Sequence, residues 1–351
     1  MKLFTVGPVE MYSNTLTVAA QQLPYFRTDE FSQIMLNIDS MVKELLNTPS
    51  DYKSIYLTTS GTGAMEAAVI NCFSNEDKLL IVSGGTFGER FEYICRIHNI
   101  PYEALTLQFG EILTEEKLSL YDNKGFTGLL INIHETSTGQ LYPIKLVSDF
   151  CKRNNMFLVV DAISSFLADY YNMLEFGIDV TIFSSHKALA LSPGISVVVL
   201  SNRIYENKVK NNNCNSLYFN FNDYIENMKR GQTPFTPAVG VLLELHDMLI
   251  NIKSMGLSNK IEQTYKLAED FRKKIMEIGY EMPTYPLSNA LTPVIFKGNA
   301  KEVFHTLKDK YKILVTPSGG KLEKILLRVG HLGNLTEDDN TSLIKALKEI
   351  S

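Results

Sequence analysis

Lys187 is the residue whose setting in the sequence most favours covalent chemistry with a small molecule. It follows the run Thr181–His186 and precedes the apolar residues Ala188-Leu189-Ala190, in a segment otherwise poor in charge. A lysine in such a desolvated pocket has a lowered pKa, and its neutral amine can form a Schiff base with a carbonyl group. The ordinary alternative for any single lysine is a solvated surface position. The adjacent His186 is either an acid or base of the same site or a structural histidine.

Two further charged residues stand at the ends of apolar runs. Asp161 follows Phe157–Val160, and a carboxylate at the end of a buried strand needs a hydrogen-bonding or cationic partner. It either caps the next helix or faces a protonated pyridine nitrogen. Arg328 follows Ile325–Leu327, and its guanidinium either holds a substrate carboxylate through two hydrogen bonds or forms a surface ion pair.

A phosphate-binding turn is one interpretation of the segment Thr59–Gly63. It lies between an apolar run and the helical stretch Ala64–Ile70. The first turn of a helix offers unpaired backbone N–H groups and a favourable dipole, and hydroxyl groups add donors, so that a phosphate is bound well there. A plain turn between a strand and a helix has the same composition, and the segment alone does not decide between the two.

The elements that must position these residues follow an α/β pattern. From about residue 54 to 200, short β-rich runs alternate with helical segments, which predicts parallel strands joined by crossover helices and covered on both faces. The predicted strands are Ile55–Leu57, Leu79–Val82, Leu129–Ile133, Phe157–Val160, Val180–Phe183 and Ile195–Leu200.

Polar residues follow several of these strands directly. They are Asp161, the segment His134-Glu135-Thr136 and the segment Ser184-Ser185-His186-Lys187. Ligands of open α/β sheets bind at the carboxyl ends of the strands. The sequence therefore predicts that these residues meet in one site.

A second, smaller α+β domain is predicted for residues 239–351, after a large domain of residues 1–238. Thr336 is placed to cap the last helix, whose first turn is acidic, as the helix dipole favours. The other predicted elements are a helix running toward Met255, a helix at Asn259–Ile278, a strand at Pro293–Phe296, a helix at Lys301–Lys310 and a strand at Ile325–Val329.

Composition excludes several classes of partner. The 351 residues carry a net charge of -5, so nucleic acid and anionic membrane surfaces are not the expected ligands. No apolar run reaches the roughly 20 residues of a membrane span, and the apolar stretch at the amino terminus is too short for a secretory signal. The four cysteines are scattered, as structural thiols are. We expect a cytoplasmic protein with a small-molecule ligand.

In combination, the motifs resemble those of the class V aminotransferases, enzymes of fold type I that use pyridoxal 5′-phosphate (PLP), and most closely the 2-aminoethylphosphonate:pyruvate transaminases among them. The resemblance covers most of the chain. The segments that carry it are Phe4–Val9, Arg27–Phe31, Ser60–Ala67, Gly84–Arg90, His134–Gly139, Val160–Phe166, Gly231-Gln232 with Phe235–Pro237, and Leu327–Gly333.

The resemblance implies a large domain with a mostly parallel sheet between helices, a smaller α+β domain, and a homodimer with active sites at the subunit interface. Lys187 would hold PLP and act as the base, and Asp161 would face the pyridine nitrogen. Arg328 would bind the substrate carboxylate, and Arg27 is a second candidate for substrate binding. The residues implied around the cofactor are Ser60, Gly61, Thr62, Phe87 stacked on the ring, Thr136, Ser184, His186 and, from the partner subunit, Thr236.

The expected reaction is transfer of an amino group from 2-aminoethylphosphonate to pyruvate. Ser185-His186-Lys187 differs from the usual Ala-Asn-Lys and is more similar to the lysine motif of glyoxylate aminotransferases and cysteine desulfurases. An alanine or serine:glyoxylate aminotransferase is therefore the first alternative. A desulfurase needs a mobile loop cysteine in the carboxyl-terminal half, and Cys214 precedes the expected place. A PLP-binding protein without catalysis would not need the pair Asp161 and Lys187.

Overall fold

Two β-sheets and the helices packed on them form the chain. The computed structural model describes residues 1–350. The strands of the described part are β1 (Lys2–Phe4), β2 (Lys53–Leu57), β3 (Leu79–Ser83), β4 (Tyr102–Thr106), β5 (Gly128–Asn132), β6 (His134–Glu135), β7 (Gln140–Leu141), β8 (Phe157–Asp161), β9 (Val180–Ser184), β10 (Ser196–Leu200), β11 (Leu291–Ile295), β12 (Ile313–Pro317) and β13 (Leu326–Gly330). The helices are α1 (Ser13–Ala19), α2 (Asp29–Leu45), α3 (Gly61–Cys72), α4 (Thr86–Ile97), α5 (Glu115–Ser119), α6 (Ile144–Arg153), α7 (Asn202–Ile204), α8 (Phe221–Met228), α9 (Val239–Met255), α10 (Leu257–Glu277), α11 (Ala300–Asp309) and α12 (Glu337–Ile350), with a π-helical turn at Tyr205–Val209 and a 3₁₀ turn at Gly320–Leu322.

The larger sheet has seven strands in the order β2-β10-β9-β8-β5-β3-β4. The neighbours β9, β8, β5, β3 and β4 are parallel, as the alternating pattern predicts. The expectation of a parallel strand at 195–200 is wrong, because β10 runs antiparallel to both β9 and β2. The connection between β9 and β10 contains no helix, and a parallel pair needs a crossover that is usually helical.

Successive residues of the central strands point into two separate apolar cores. In β3, Leu80 and Val82 belong to one core, whereas Leu79 and Ile81 belong to the other. Helices α2, α6 and α9 cover the first face of the sheet, and α3, α4 and α8 cover the second. This explains the continuous apolar runs in the sequence, because a strand buried on both faces needs an apolar residue at every position.

Some predicted strand boundaries change, and five strands were not predicted, namely β1, β4, β6, β7 and β12. The predicted strands at 157–160 and 180–183 each extend by one polar residue, to Asp161 and Ser184. Strand β4 lies at the edge of the sheet and is only partly buried, so its sequence lacks a continuous apolar run. Strand β1 has three residues, too few for a periodic signal.

The smaller sheet has the order β1-β12-β13-β11 and packs against α10, α11 and α12 around its own apolar core. Thr336 caps α12, since its Oγ1 accepts a hydrogen bond of 3.2 Å from the backbone N–H of Asp339. The elements cross the predicted boundary at residue 238 in both directions. Strand β1 joins the smaller sheet, and Leu242 and Leu245 of α9 belong to the core of the larger one. The division at 238/239 stays a prediction.

The described residues include no helix whose length and apolar character would let it cross a lipid bilayer.

Candidate active site

The carboxyl ends of β8 and β9 bring Asp161 and Lys187 to the same edge of the large sheet. Asp161 is the last residue of β8 and pairs with Ile182 of β9, and Lys187 follows the end of β9 by three residues. Both side chains are buried, with exposures of 5% and 8%. Each charge affects the pKa of the other. The structure therefore brings the two charged residues into one buried site.

The amine of Lys187 is poised between its charged and neutral forms. Burial lowers its pKa to about 8, the nearby Asp161 opposes this shift, and the cations Arg328 and Arg90 add to it. The Nζ atom donates a hydrogen bond of 2.6 Å to the backbone carbonyl of Val6. A neutral amine, which is the nucleophilic form, is thus available close to neutral pH.

One carboxylate oxygen of Asp161 is used in a local turn, and the other is left open. Its Oδ1 accepts a hydrogen bond of 2.8 Å from the backbone N–H of Ile163, a local turn of the capping type. Its Oδ2 has no hydrogen-bond donor among the described residues. Burial raises the pKa of Asp161 to about 6, and the hydrogen bond from Ile163 and the charge of Lys187 limit the rise. The free oxygen of a buried carboxylate favours a cationic or N–H partner.

The segment Thr59–Gly63 lies at the same sheet edge and begins α3. Ser60 is the N-cap residue, but its side chain makes no capping hydrogen bond, so that the hydroxyl and the first N–H groups of α3 are open to a ligand. A Cβ atom on Gly61 would lie 2.4 Å from Ile163 and 3.0 Å from the Ser184 hydroxyl, which shows how closely the turn approaches β8 and β9. This arrangement suits a phosphate.

Arg90 adds positive charge to this turn. It lies on α4 and donates a hydrogen bond of 2.8 Å to Thr62 Oγ1. Its guanidinium also stacks on the ring of Phe87, 4.5 Å from the ring centre. Arg90 was not among the predicted site residues, although the sequence places it in the Gly84–Arg90 motif. The signal for it was a cation one helical turn after Phe87.

The other polar residues predicted for the site are Thr136, Ser184 and His186. Thr136 Oγ1 and Ser164 Oγ share a hydrogen bond of 3.1 Å, and Ser184 Oγ shares one of 2.8 Å with Ser196 Oγ. His186 is partly buried, and burial with the neighbouring lysine lowers its pKa to about 4. The imidazole is therefore neutral at pH 7, which suits hydrogen bonding better than charge pairing.

Arg328 reaches this edge from β13 of the smaller sheet. It donates hydrogen bonds of 2.9 Å to the Thr136 carbonyl and 2.7 Å to the Pro317 carbonyl, while its Nε is buried without a partner. Burial lowers its pKa to about 10, so the guanidinium is still charged at pH 7. Arg328 also lines a cleft of about 910 Å³ with Phe87, Phe109 and the buried Ser318. A guanidinium with unused donors beside a cleft suits a carboxylate ligand.

Arg27 and Thr236 are placed differently from the other predicted residues. Arg27 is exposed, and its hydrogen bonds go to Gln232, Thr233 and Pro234, the segment that leads to Thr236. The side chain of Thr236 is exposed and makes no hydrogen bond to the described residues of its own chain. The substrate-binding role of Arg27 and the role of Thr236 in a partner's site stay predictions.

The chemistry of these donors fits PLP. A helix amino terminus with Arg90 beside it suits the phosphate, a free carboxylate oxygen of Asp161 suits the pyridine N–H, and the buried amine of Lys187 suits the aldehyde.

Three relatives align with nearly the whole chain. An uncharacterised aminotransferase of Methanocaldococcus jannaschii is 28% identical over 99% of this chain and 93% of its own length. The serine–glyoxylate aminotransferase of Arabidopsis thaliana is 26% identical over 95% of this chain and 86% of its own length. The bifunctional phosphonoacetaldehyde hydrolase/aminoethylphosphonate transaminase of Clostridioides difficile is 27% identical over 99% of this chain and 56% of its own length.

A solved structure and a family-wide sequence pattern agree with these relatives. The crystal structure of alanine–glyoxylate aminotransferase from Nostoc sp. superimposes with a TM-score of 0.93 at 24% identity and covers 99% of this chain and 94% of that chain. The pattern of the family "Aminotransferase class-V" matches residues 9–334. The chain therefore belongs to the class V aminotransferases and is a PLP-dependent aminotransferase with the fold of type I.

Proposed function

We propose that the enzyme transfers an amino group from 2-aminoethylphosphonate to pyruvate, giving an aldehyde and alanine. The choice of an oxo acid as the amino-group acceptor rests on the buried Nε of Arg328, which has no hydrogen-bond partner and lies beside the cleft. A small oxo acid offers the carboxylate that this guanidinium lacks. The donor is supported by the motifs that resemble those transaminases and by the relative from Clostridioides difficile. We also propose a cytoplasmic homodimer in which Thr236 reaches the partner's phosphate site.

Different residues of this chain have different proposed roles in the amino transfer. PLP, when bound, supplies an aldehyde carbon for the amine and a ring that accepts an electron pair. Lys187 Nζ, with its pKa near 8, takes the proton from the donor carbon that carries the amino group. Asp161 holds the proton on the ring nitrogen, and Arg328 orients the oxo acid. We propose that Ser60, Gly61 and Thr62 bind the phosphate, that Phe87 stacks on the ring, and that Thr136, Ser184 and His186 contact the cofactor or its lysine.

The test is a half-reaction screen. Purified enzyme saturated with PLP is mixed with 2-aminoethylphosphonate, alanine, serine or taurine, and the change of the visible absorbance is followed by stopped flow. We expect the fastest change with 2-aminoethylphosphonate, recovery of the initial spectrum with pyruvate, and parallel lines in two-substrate kinetics. Lys187→Ala should show no turnover with any pair.

A second candidate is an alanine or serine:glyoxylate aminotransferase, which the Arabidopsis relative favours. A higher kcat/KM for serine with glyoxylate than for 2-aminoethylphosphonate with pyruvate would overturn the first proposal in favour of this one. If no amine changed the spectrum of the PLP-loaded protein, both transamination proposals would fail.

A further inference from the structure

Helix α4 begins without a capping residue of its own. Its N-cap residue is Gly85, which has no side chain, yet every N–H of the first turn has an acceptor. Thr86 donates to Ser137 Oγ at 3.3 Å, and Phe87 and Gly88 both donate to Glu135 Oε2 at 3.2 Å. The carboxylate that caps α4 therefore comes from β6, at the carboxyl end of the neighbouring β5 strand.

The carboxylate of Glu135 is completely buried, at 0% exposure, and its two oxygens are fully used. Oε2 also accepts a hydrogen bond of 2.8 Å from Asn132 Nδ2. Oε1 accepts one of 3.0 Å from the Ser137 N–H and one of 2.5 Å from the Ser137 hydroxyl. A buried anion is tolerated when donors and a helix amino terminus surround it. Gly85 makes this approach possible, since a Cβ there would lie 2.6 Å from Glu135 Cδ.

This cap bears directly on the aromatic residue of the site. Glu135 binds the backbone N–H of Phe87, and the Phe87 ring is in turn stacked against Arg90, which donates to Thr62 of the phosphate turn. A chain of contacts thus runs from Glu135 through Phe87 and Arg90 to Thr62. Rotation of the first turn of α4 would move the ring and the cation together.

We propose that Glu135 is a positioning residue that holds the ring of Phe87 in the plane needed to stack on the pyridine ring of PLP. The proposal rests on the stacking role proposed for Phe87. Because Glu135 acts through a backbone N–H, its effect on PLP binding depends on the side chain at residue 87. If Glu135 were only structural, its replacement would change the stability of the fold, and its effect on PLP binding would not depend on the side chain at residue 87.

The experiment is a double-mutant cycle on PLP affinity. The dissociation constant of PLP is measured by titration of the cofactor-free protein for wild type, Glu135→Gln, Phe87→Leu and the double variant. We expect each single change to weaken binding about tenfold, and the double variant to bind PLP clearly more tightly than the product of the two single effects predicts. Hydrogen exchange of the Phe87 and Gly88 amides in the cofactor-free protein should be at least about tenfold faster in Glu135→Gln.

Asp179 provides the matched control. It is also buried and bound by a backbone N–H, a serine hydroxyl and an arginine, but it precedes β9 and so lies at the opposite edge of the sheet. Asp179→Asn should change the PLP dissociation constant by less than about twofold, whatever its effect on the melting temperature of the cofactor-free protein. If Glu135→Gln does not fold, Ser137→Ala removes one donor to Oε1 and should weaken PLP binding in the same direction.

Full additivity of Glu135→Gln and Phe87→Leu, or unchanged PLP affinity in Glu135→Gln, would overturn the proposal. Unchanged affinity in Phe87→Leu would instead remove the stacking role on which it rests. No amine or oxo acid is present in these titrations, so an incorrect choice of substrate cannot produce either result.

Discussion

The ε-amino group of Lys187 donates a 2.6 Å hydrogen bond to the backbone carbonyl of Val6. Val6 belongs to the amino-terminal segment, whose strand β1 is part of the smaller sheet and whose Val6 N–H donates to Thr316 Oγ1 of β12. The lysine of the large sheet is thus held by a segment of the smaller one. The position of this segment decides where the free amine rests.

Gly7 is expected to be required for that position. A Cβ at residue 7 would lie 2.7 Å from Lys187 Cδ and 3.0 Å from Nζ, so that Gly7→Ala should displace the lysine and slow the capture of PLP by the cofactor-free protein at least about tenfold. Gly110→Ala is the control, because Gly110 also has a positive φ and nothing within 4 Å of a Cβ. Stopped-flow absorbance measures the capture, and equal rates for Gly7→Ala and wild type would contradict the prediction.

The lowered pKa of Lys187 predicts its reactivity. The neutral amine is half populated near pH 8, whereas an exposed lysine such as Lys301, whose pKa is raised by its hydrogen bond to Glu323, reaches that point only at higher pH. Acetylation by trace acetic anhydride in the cofactor-free protein, followed by mass spectrometry, should therefore rise between pH 7 and 9 at residue 187, because this reagent reacts only with the neutral amine and does not itself titrate. A midpoint for residue 187 near that of Lys301 would refute the buried position.

The carboxylate of Asp161 is expected to lower the free energy of unfolding of the cofactor-free protein. Burial raises its pKa from 3.8 to about 6, so the buried anion lowers the free energy of unfolding. This cost is absent below the unfolded pKa, where the carboxyl group is protonated in both states, and is fully present above pH 6. Asp161→Asn should stabilise the cofactor-free protein at pH 7 by up to about 3 kcal/mol, with a gain that shrinks toward pH 4.

The same substitution should weaken PLP binding, since an amide cannot hold the charge of the ring nitrogen. Asp122→Asn is the control of opposite sign, because the pKa of Asp122 is lowered by its hydrogen bond from Arg153. Denaturant titration and PLP titration together measure both effects. A destabilised, tightly binding Asp161→Asn variant would run against both expectations.

Arg328 should govern the oxo acid rather than the cofactor. Arg328→Lys keeps a positive charge but loses the planar fork, so the KM for pyruvate should rise about 10- to 100-fold while the dissociation constant of PLP stays within about twofold. Melting temperatures of the variant should be compared with wild type, because the guanidinium also binds the carbonyls of Thr136 and Pro317. A parallel loss of PLP affinity would assign Arg328 to the cofactor.

Thr236 should act across the proposed subunit interface. Thr236→Ala should weaken PLP binding about tenfold, since one donor to the phosphate is lost. Mixing Thr236→Ala subunits with Lys187→Ala subunits should then restore sites of wild-type affinity, because one site of each hybrid dimer combines an intact lysine with an intact partner threonine. Recovery of no such sites in verified hybrids would place Thr236 in its own subunit's site.

Local sequence was sufficient for the class of fold and for the prediction that Asp161 and Lys187 lie in one site. The continuous apolar runs predicted strands buried on both faces, and polar residues at their ends predicted one site, because parallel strands present their carboxyl ends at one sheet edge. Asp161 and Lys187 were found in this way. Strand β10 was assigned the wrong direction, since apolar composition carries no information about whether a strand runs parallel or antiparallel.

Contacts between segments distant along the chain were decided only by the tertiary structure. The sequence contains Val6, Glu135 and Arg90 within motifs, but nothing in those motifs shows that Val6 holds the lysine, that Glu135 caps α4, or that Arg90 binds Thr62. These are hydrogen bonds of fixed length and direction, and their geometry depends on how whole elements pack. Residue type and spacing determine which groups are able to react, whereas packing determines which groups they meet.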